Sequence, residues 1–195
     1  MLSAGRLIED ALQNRFNRAI LERLPALGLP DAWLVAGCLF QTIWNLQSGL
    51  PPEARIKDYD LFYFDAADLS ESAEQAVQQQ VTAHYRDLPV EIEIKNQARV
   101  HTWYPEYFGH SYPALQSSRD GIERFLVTCT CVGITSRDGH FQLYAPNGLD
   151  ELYAGQLQAN PLCDHNELFQ AKAASYARRW PWLNTVGQPL VNQHA

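Results

Sequence analysis

Two aspartates, one residue apart, open an otherwise apolar run, DYDLFYF at positions 58–64. The run alternates as a β-strand does, and residues i and i+2 of a strand share a face with Cα atoms about 6.5 Å apart. Asp58 and Asp60 therefore present two carboxylates on the face that Phe62 and Phe64 continue as apolar surface. Acids at one end of a face and core at the other mark the place where a strand leaves the interior at the mouth of a pocket. Two close carboxylates repel, and partial burial adds to the cost. A hard, oxygen-seeking cation such as Mg²⁺ relieves both. The plainer alternative is a solvated strand end screened by Arg55 and Lys57.

A second strictly alternating segment, VEIEIKN, runs from Val90 to Asn96. Val90, Ile92 and Ile94 take one face; Glu91, Glu93 and Lys95 take the other. If this strand lies beside the first, a third carboxylate joins the pair. Three carboxylates on neighbouring strands can hold two divalent ions that activate an attacking oxygen and neutralise a leaving phosphate. Alternation alone leaves Glu91 and Glu93 both open as that third acid. Upstream, the apolar stretch AWLVAG ends at Gly37, and Cys38 begins an apolar helical pattern. A glycine at such a junction lets a ligand approach the backbone, and the amides of a helix start suit a phosphate.

The elements that must position these groups follow from periodicity and punctuation. The apolar spacing over Arg6–Leu24 predicts one N-terminal helix, and a helix over Cys38–Gly49 follows the strand at Trp33. Ser70 predicts the N-cap of a helix reaching to about Tyr85. The stretch WYPEYFGHSYPALQSS, rich in Pro, Gly and Tyr, predicts an ordered loop. A short helix capped by Ser118 follows. Asp138-Gly139 predicts the turn of a hairpin whose first strand carries Cys129 and Cys131 on one face. Two further helices cover NGLDELYAGQL and DHNELFQAKAASYARRW. The expected class is α+β, a small mixed sheet with flanking helices, in a single domain over 1–180. A loosely ordered tail is expected over 181–195.

Bulk properties narrow the function. The chain has 15 basic and 22 acidic residues, a net charge of −7, which disfavours a polyanionic partner. The four cysteines lack zinc spacing and read as reduced and structural. No signal peptide or 18-residue apolar run is visible, so a cytoplasmic protein with no membrane partner is expected. His101, His110, His140 and His165 form no spaced ligand set. No nucleophile elbow, dinucleotide fingerprint or P-loop appears.

Taken together, the Gly37 junction, Asp58-x-Asp60 and Glu93 resemble the nucleotidyltransferase superfamily with the polymerase-β-like fold. More narrowly, KDYDLFYFD, EIKNQARVHTWY, SSRDGIERF and APNGLDELYAGQLQANP are similar to an uncharacterised bacterial family of nucleotidyltransferase-like proteins, over about Trp33 to Pro161. The resemblance implies that Asp58, Asp60 and Glu93 are catalytic and bind Mg²⁺ or Mn²⁺, and it favours Glu93 over Glu91. It implies a nucleoside triphosphate substrate, held by Gly37 and Cys38 with Lys95, Gln97 and Arg99 nearby. Cys38 stands where the superfamily carries Gly or Ser. The implied reaction moves a nucleoside monophosphate to an acceptor hydroxyl. The acceptor is unknown, with a protein side chain or small molecule favoured over RNA. The alternative is a catalytically silent binding module on the same fold.

Overall fold

The computed structural model describes residues 2–109, 111–163 and 165–186; Met1, His110, Asp164 and the stretch 187–195 lie outside it. The chain begins with two helices, α1 (Ala4–Ala11) and α2 (Arg15–Arg23), rather than one. Asn14 makes the break. It is fully buried, and its Oδ1 accepts from the amides of Phe16 and Asn17 as the N-cap of α2. Its Nδ2 donates to Thr42 Oγ1 at 3.1 Å and Tyr59 Oη at 3.2 Å. One side chain thus starts a helix and ties it to a strand and a second helix. Asn14→Ala removes the cap and strands the Tyr59 hydroxyl in the core. We expect a loss of about 3 kcal/mol and a fall in Tm of about 8 °C, read by thermal unfolding.

A turn with Gly28 at positive φ leads to β1 (Trp33–Val35), buried along its whole length, and then to α3 (Gly37–Gln47). Next come β2 (Asp58–Tyr63), α4 (Glu71–His84) and β3 (Glu91–Asn96). Ser70 caps α4 by accepting from the Ala73 amide, as the sequence predicts. The expected aromatic loop is instead opened by a helix, α5 (Val100–Phe108), with Pro105 inside it and Gly109 closing it in the left-handed region. Helix α6 (Ser118–Ile122) is capped by Ser117 in a capping box with Asp120. Ser118, the expected cap, is buried, and its amide and hydroxyl both donate to Asp31.

Cys129 lies in a 3₁₀ turn (Thr128–Thr130), with Cys131 just after it, so the hairpin begins later than expected. It comprises β4 (Gly133–Arg137) and β5 (His140–Tyr144), joined at Asp138-Gly139, both at positive φ. All four cysteines are free. Helix α7 (Asp150–Ala154), β6 (Gln156–Leu157), α8 (Asn166–Arg179) and β7 (Asn184–Thr185) complete the described residues. Residues 181–186 are not loose: Leu183 is buried and β7 pairs in parallel with β6.

The main sheet has the order β3-β2-β1-β4-β5, with β2 and β3 parallel and the other pairs antiparallel. Tyr59, Leu61 and Tyr63 of β2, with Ile92 and Ile94 of β3, join the main core beneath the helices. The opposite face carries a smaller cluster of Trp33, Val35, Ile122 and Cys131, against which Phe62 and Phe125 pack. Asp58 and Asp60 lie on that second face, beyond the edge of its apolar cover. No helix of the described residues is long and apolar enough to cross a membrane.

Candidate active site

The aspartates owe their position to strand register. Val35 stands opposite Asp60, so β1 delivers its C-terminal end, and the start of α3, beside the acids. The joint between β1 and α3 is tight: Ala36 adopts φ 61° and ψ −138°, a conformation that costs an ordinary residue on the order of 1–3 kcal/mol. Gly37 follows, and a Cβ there would come within 2.5 Å of Gln41 Nε2. Its bare backbone lets Gln41 fold back across the first turn. The Gly37 and Cys38 amides belong to the helix start, where no intrahelical carbonyl serves them.

On the other side, β3 pairs in register so that Glu93 stands opposite Asp60 and Glu91 opposite Asp58. All four carboxylates therefore share one face. Asp60 is pushed up to about 7 by burial first, then by the charges of Asp58 and Glu93. Among the described residues nothing donates a hydrogen bond to its carboxylate. Asp58 has Lys57 Nζ at 3.5 Å. Glu93 does not line the cavity that holds the aspartates; it lines a shallow groove along the sheet edge with Gln78, Arg86 and Lys95. Because β3 is the edge strand, no further strand among the described residues closes off that side. Among the described residues no three His, Cys, Asp or Glu side chains are gathered closely enough to hold one ion as they stand.

The cavity itself measures about 380 Å³, and Asp58 and Asp60 share it with Gly37 and Gln41. Five basic residues also line it, Arg55, Lys57, Arg124, Lys172 and Arg179, beside an apolar part made by Phe40, Phe125, Leu126 and Val127. Arg55 donates to the Arg179 carbonyl, while Arg179 donates to Gln41 Oε1 at 3.1 Å and lies over the Trp180 ring at 4.7 Å. Burial, against the help of Tyr176 and with the Arg55 and Arg178 charges, pulls the Arg179 guanidinium below its usual value. A crowded set of cations around two acids is a place where a polyanion and a divalent cation are both welcome.

A nucleotidyltransferase family model matches residues 22–185. The chain belongs to this nucleotidyltransferase family. A solved structure described as a CCA-adding enzyme head domain, determined by NMR, is similar over 95% of this chain and 97% of its own. The two share 27% identity with a TM-score of 0.77. No curated protein sequence matches.

Within the nucleotidyltransferase frame, several expected ligands lie elsewhere. The Cys38 side chain is fully buried, donates to the Val35 carbonyl at 3.3 Å and faces the main core. Burial raises its thiol well above the usual value, so it remains a thiol and offers nothing to a phosphate. Arg99 forms an ion pair with Glu74 at 2.5 Å and donates to the Leu69 carbonyl, which ties it to α4 and away from the aspartates. Gln97 is 3% exposed and lies against Gly121, where a Cβ would collide with its amide oxygen. Lys95 is exposed on the edge strand opposite Phe62. Its charge reaches Asp60, but it does not line the aspartate cavity. Asn96 accepts from the Asp65 and Ala98 amides as a turn cap. His101 lies outside the cavity lining, and its buried Nδ1 has no partner among the described residues.

Sequence reasoning missed the cations from the second half of the chain. Lys172, Tyr176 and Arg179 recur at four- and three-residue steps, so α8 presents them on one face. That spacing was readable; its destination was not.

Proposed function

We propose that this nucleotidyltransferase moves a nucleoside monophosphate from a nucleoside triphosphate to an acceptor hydroxyl, in a Mg²⁺- or Mn²⁺-dependent reaction. The observation that carries the reading is a pair of adjacent carboxylates inside a cavity that five basic side chains also line. The donor set fits a hard divalent ion: two oxygen ligands, one of them half-buried and charge-frustrated by its neighbours. Asp58 and Asp60 would hold it, with Glu93 beside Asp60 as the third acid. When bound, such an ion neutralises phosphate charge and polarises the reacting phosphorus centre.

The chain's own groups do the rest. Lys172, Arg179, Arg55 and Lys57 bind the triphosphate and stabilise the negative charge on departing pyrophosphate. The first amides of α3 cradle phosphate oxygens. Glu93, opposite Asp60 on β3, orients the attacking hydroxyl, whose proton passes to the acidic cluster. The acceptor oxygen bonds to the α-phosphorus as the bond to the β-phosphate oxygen breaks. The resemblance to a CCA-adding enzyme head domain supports nucleotide addition. The net charge of −7 speaks against an RNA acceptor and for a small molecule or protein side chain.

The test is thermal stabilisation by ATP, CTP, GTP and UTP, each with and without Mg²⁺, followed by pyrophosphate release. Metal-dependent stabilisation that disappears in Asp60→Asn is the expected result; no response to any triphosphate sinks the proposal. Lys172 is exposed, so Lys172→Ala should leave unfolding unchanged while raising the triphosphate Kd about tenfold, the effect of one lost charge-assisted contact. Calorimetric titration reads this directly. A module that binds triphosphate without turnover is the second reading, favoured by the placement of Glu93 in the edge groove. Stabilisation by metal and triphosphate with no pyrophosphate from any acceptor would select it.

A further inference from the structure

A second cavity, about 750 Å³, opens beside the aspartate cavity. Arg124, Phe125 and Leu126 line both, so the two adjoin across that segment. One wall comes from α5 and the segment after it. Tyr104 packs against Phe108 and Tyr112, with tilted rings whose centroids are 4.5 Å and 4.4 Å away. Phe108, Leu162 and Leu168 also line the cavity and keep 41%, 51% and 47% of their surface exposed. They make up half of the six large apolar side chains left exposed among the described residues. Contiguous apolar exposure in a concavity is a mark of a ligand site.

Strand β2 relates the two cavities. Asp58 and Asp60 line the first and Phe62, next on the same face, lines the second. Arg55 and Lys57 precede the aspartates on the chain, at the end away from Phe62. In an in-line displacement the attacking oxygen enters opposite the leaving group. With pyrophosphate held among the basic side chains, the attacker comes from the Phe62 side. We infer that the aromatic cavity is the acceptor site and that the acceptor is a small molecule carrying a nucleoside moiety; this rests on the transferase reading above.

The chemistry selects a nucleoside on three counts. A heteroaromatic base matches an aromatic wall, where stacking on one ring is worth about 1–3 kcal/mol. Lys95, Gln97 and Arg124 at the cavity lining supply polar contacts for base heteroatoms. The attached sugar supplies the hydroxyl. Its oxygen bonds to the α-phosphorus, its proton passes to a carboxylate of the acidic cluster, and pyrophosphate leaves with the electron pair of the broken bond. A polymer is disfavoured by the acidic chain and by the concave shape of the site.

The test uses adenosine, guanosine, cytidine and uridine as probes with the full chain, Mg²⁺ and a non-hydrolysable triphosphate, followed by calorimetry. At least one nucleoside should bind alongside the triphosphate. Leu168→Glu and Phe108→Asp, both at exposed positions, should each weaken it about tenfold. Their metal-dependent thermal shift with triphosphate should stay at the wild-type value. Competition between nucleoside and triphosphate would give the cavity to the donor base and overturn the assignment. So would absence of nucleoside binding at millimolar concentration, or binding unchanged in both variants. Salt-sensitive binding of a single-stranded oligoribonucleotide with none of a nucleoside would overturn the small-molecule acceptor. In each of these cases the wild-type thermal shift with Mg²⁺ and triphosphate reports separately on the transferase reading.

Discussion

Replacing Asp60 by asparagine is expected to abolish turnover while making the metal-free protein harder to unfold at pH 8. The catalytic loss should reach about a thousandfold, since a ligand to the charge-stabilising ion supplies several kcal/mol of transition-state stabilisation. The stability gain has the opposite origin. Asp60 is held at about 7 against an ordinary 3.8 by burial and by its acidic neighbours. Between those values the folded chain keeps a proton that the unfolded chain has released, so stability falls as pH rises from about 4 to about 7. Asparagine removes that penalty, on the order of 2–4 kcal/mol above pH 7, and changes nothing at pH 3. Denaturant unfolding of both proteins in chelator, at pH 3.5, 6 and 8, gives three differences that should increase in that order. A variant that retains turnover within tenfold would remove Asp60 from the reaction.

Arg99→Met should produce the largest loss of stability, about 3–5 kcal/mol, with no change in triphosphate affinity. The Arg99 and Glu74 side chains are only 10% and 12% exposed, so deleting one charge leaves the other buried and unmatched. Glu74 also accepts from the Asn96 amide at 2.8 Å, so the pair locks α4 to the end of β3. The double variant Arg99→Met/Glu74→Gln should recover more than half of the loss, because no uncompensated charge remains. Urea unfolding of the three variants closes the cycle. A rise in triphosphate KM with unchanged stability would instead return Arg99 to the phosphate role that its sequence neighbourhood implies.

Much of the scaffold was legible because alternation and capping are local. The strict two-residue period of β3 put Glu91 and Glu93 together on its polar face, which the register then set beside the aspartates, and Ser70 announced α4. The break at Asn14 was hidden because the apolar spacing of Leu12, Phe16 and Ile20 runs through it; the decisive contacts are with Thr42 and Tyr59, remote in sequence. Pro105 and the aromatic density disguised α5 as a loop, whereas packing such as Tyr104 on Phe108 accompanies the helix. Arg99 and Cys38 were assigned through the resemblance, Cys38 by its place after Gly37 and Arg99 by its place after the Glu93 strand. Their side chains point to partners that only the folded chain supplies.

The distribution of charge along the polypeptide has a temporal consequence. Asp58 and Asp60 emerge early in synthesis, whereas Lys172 and Arg179 arrive only after more than half the chain again has been made. Until α8 docks, through Trp180 against Trp44 and Asn45, the acids lack two of their five cations. A nascent or prematurely terminated product would thus display a bare carboxylate couple with diminished hold on a triphosphate, and nucleotide competence would come last among the molecule's properties.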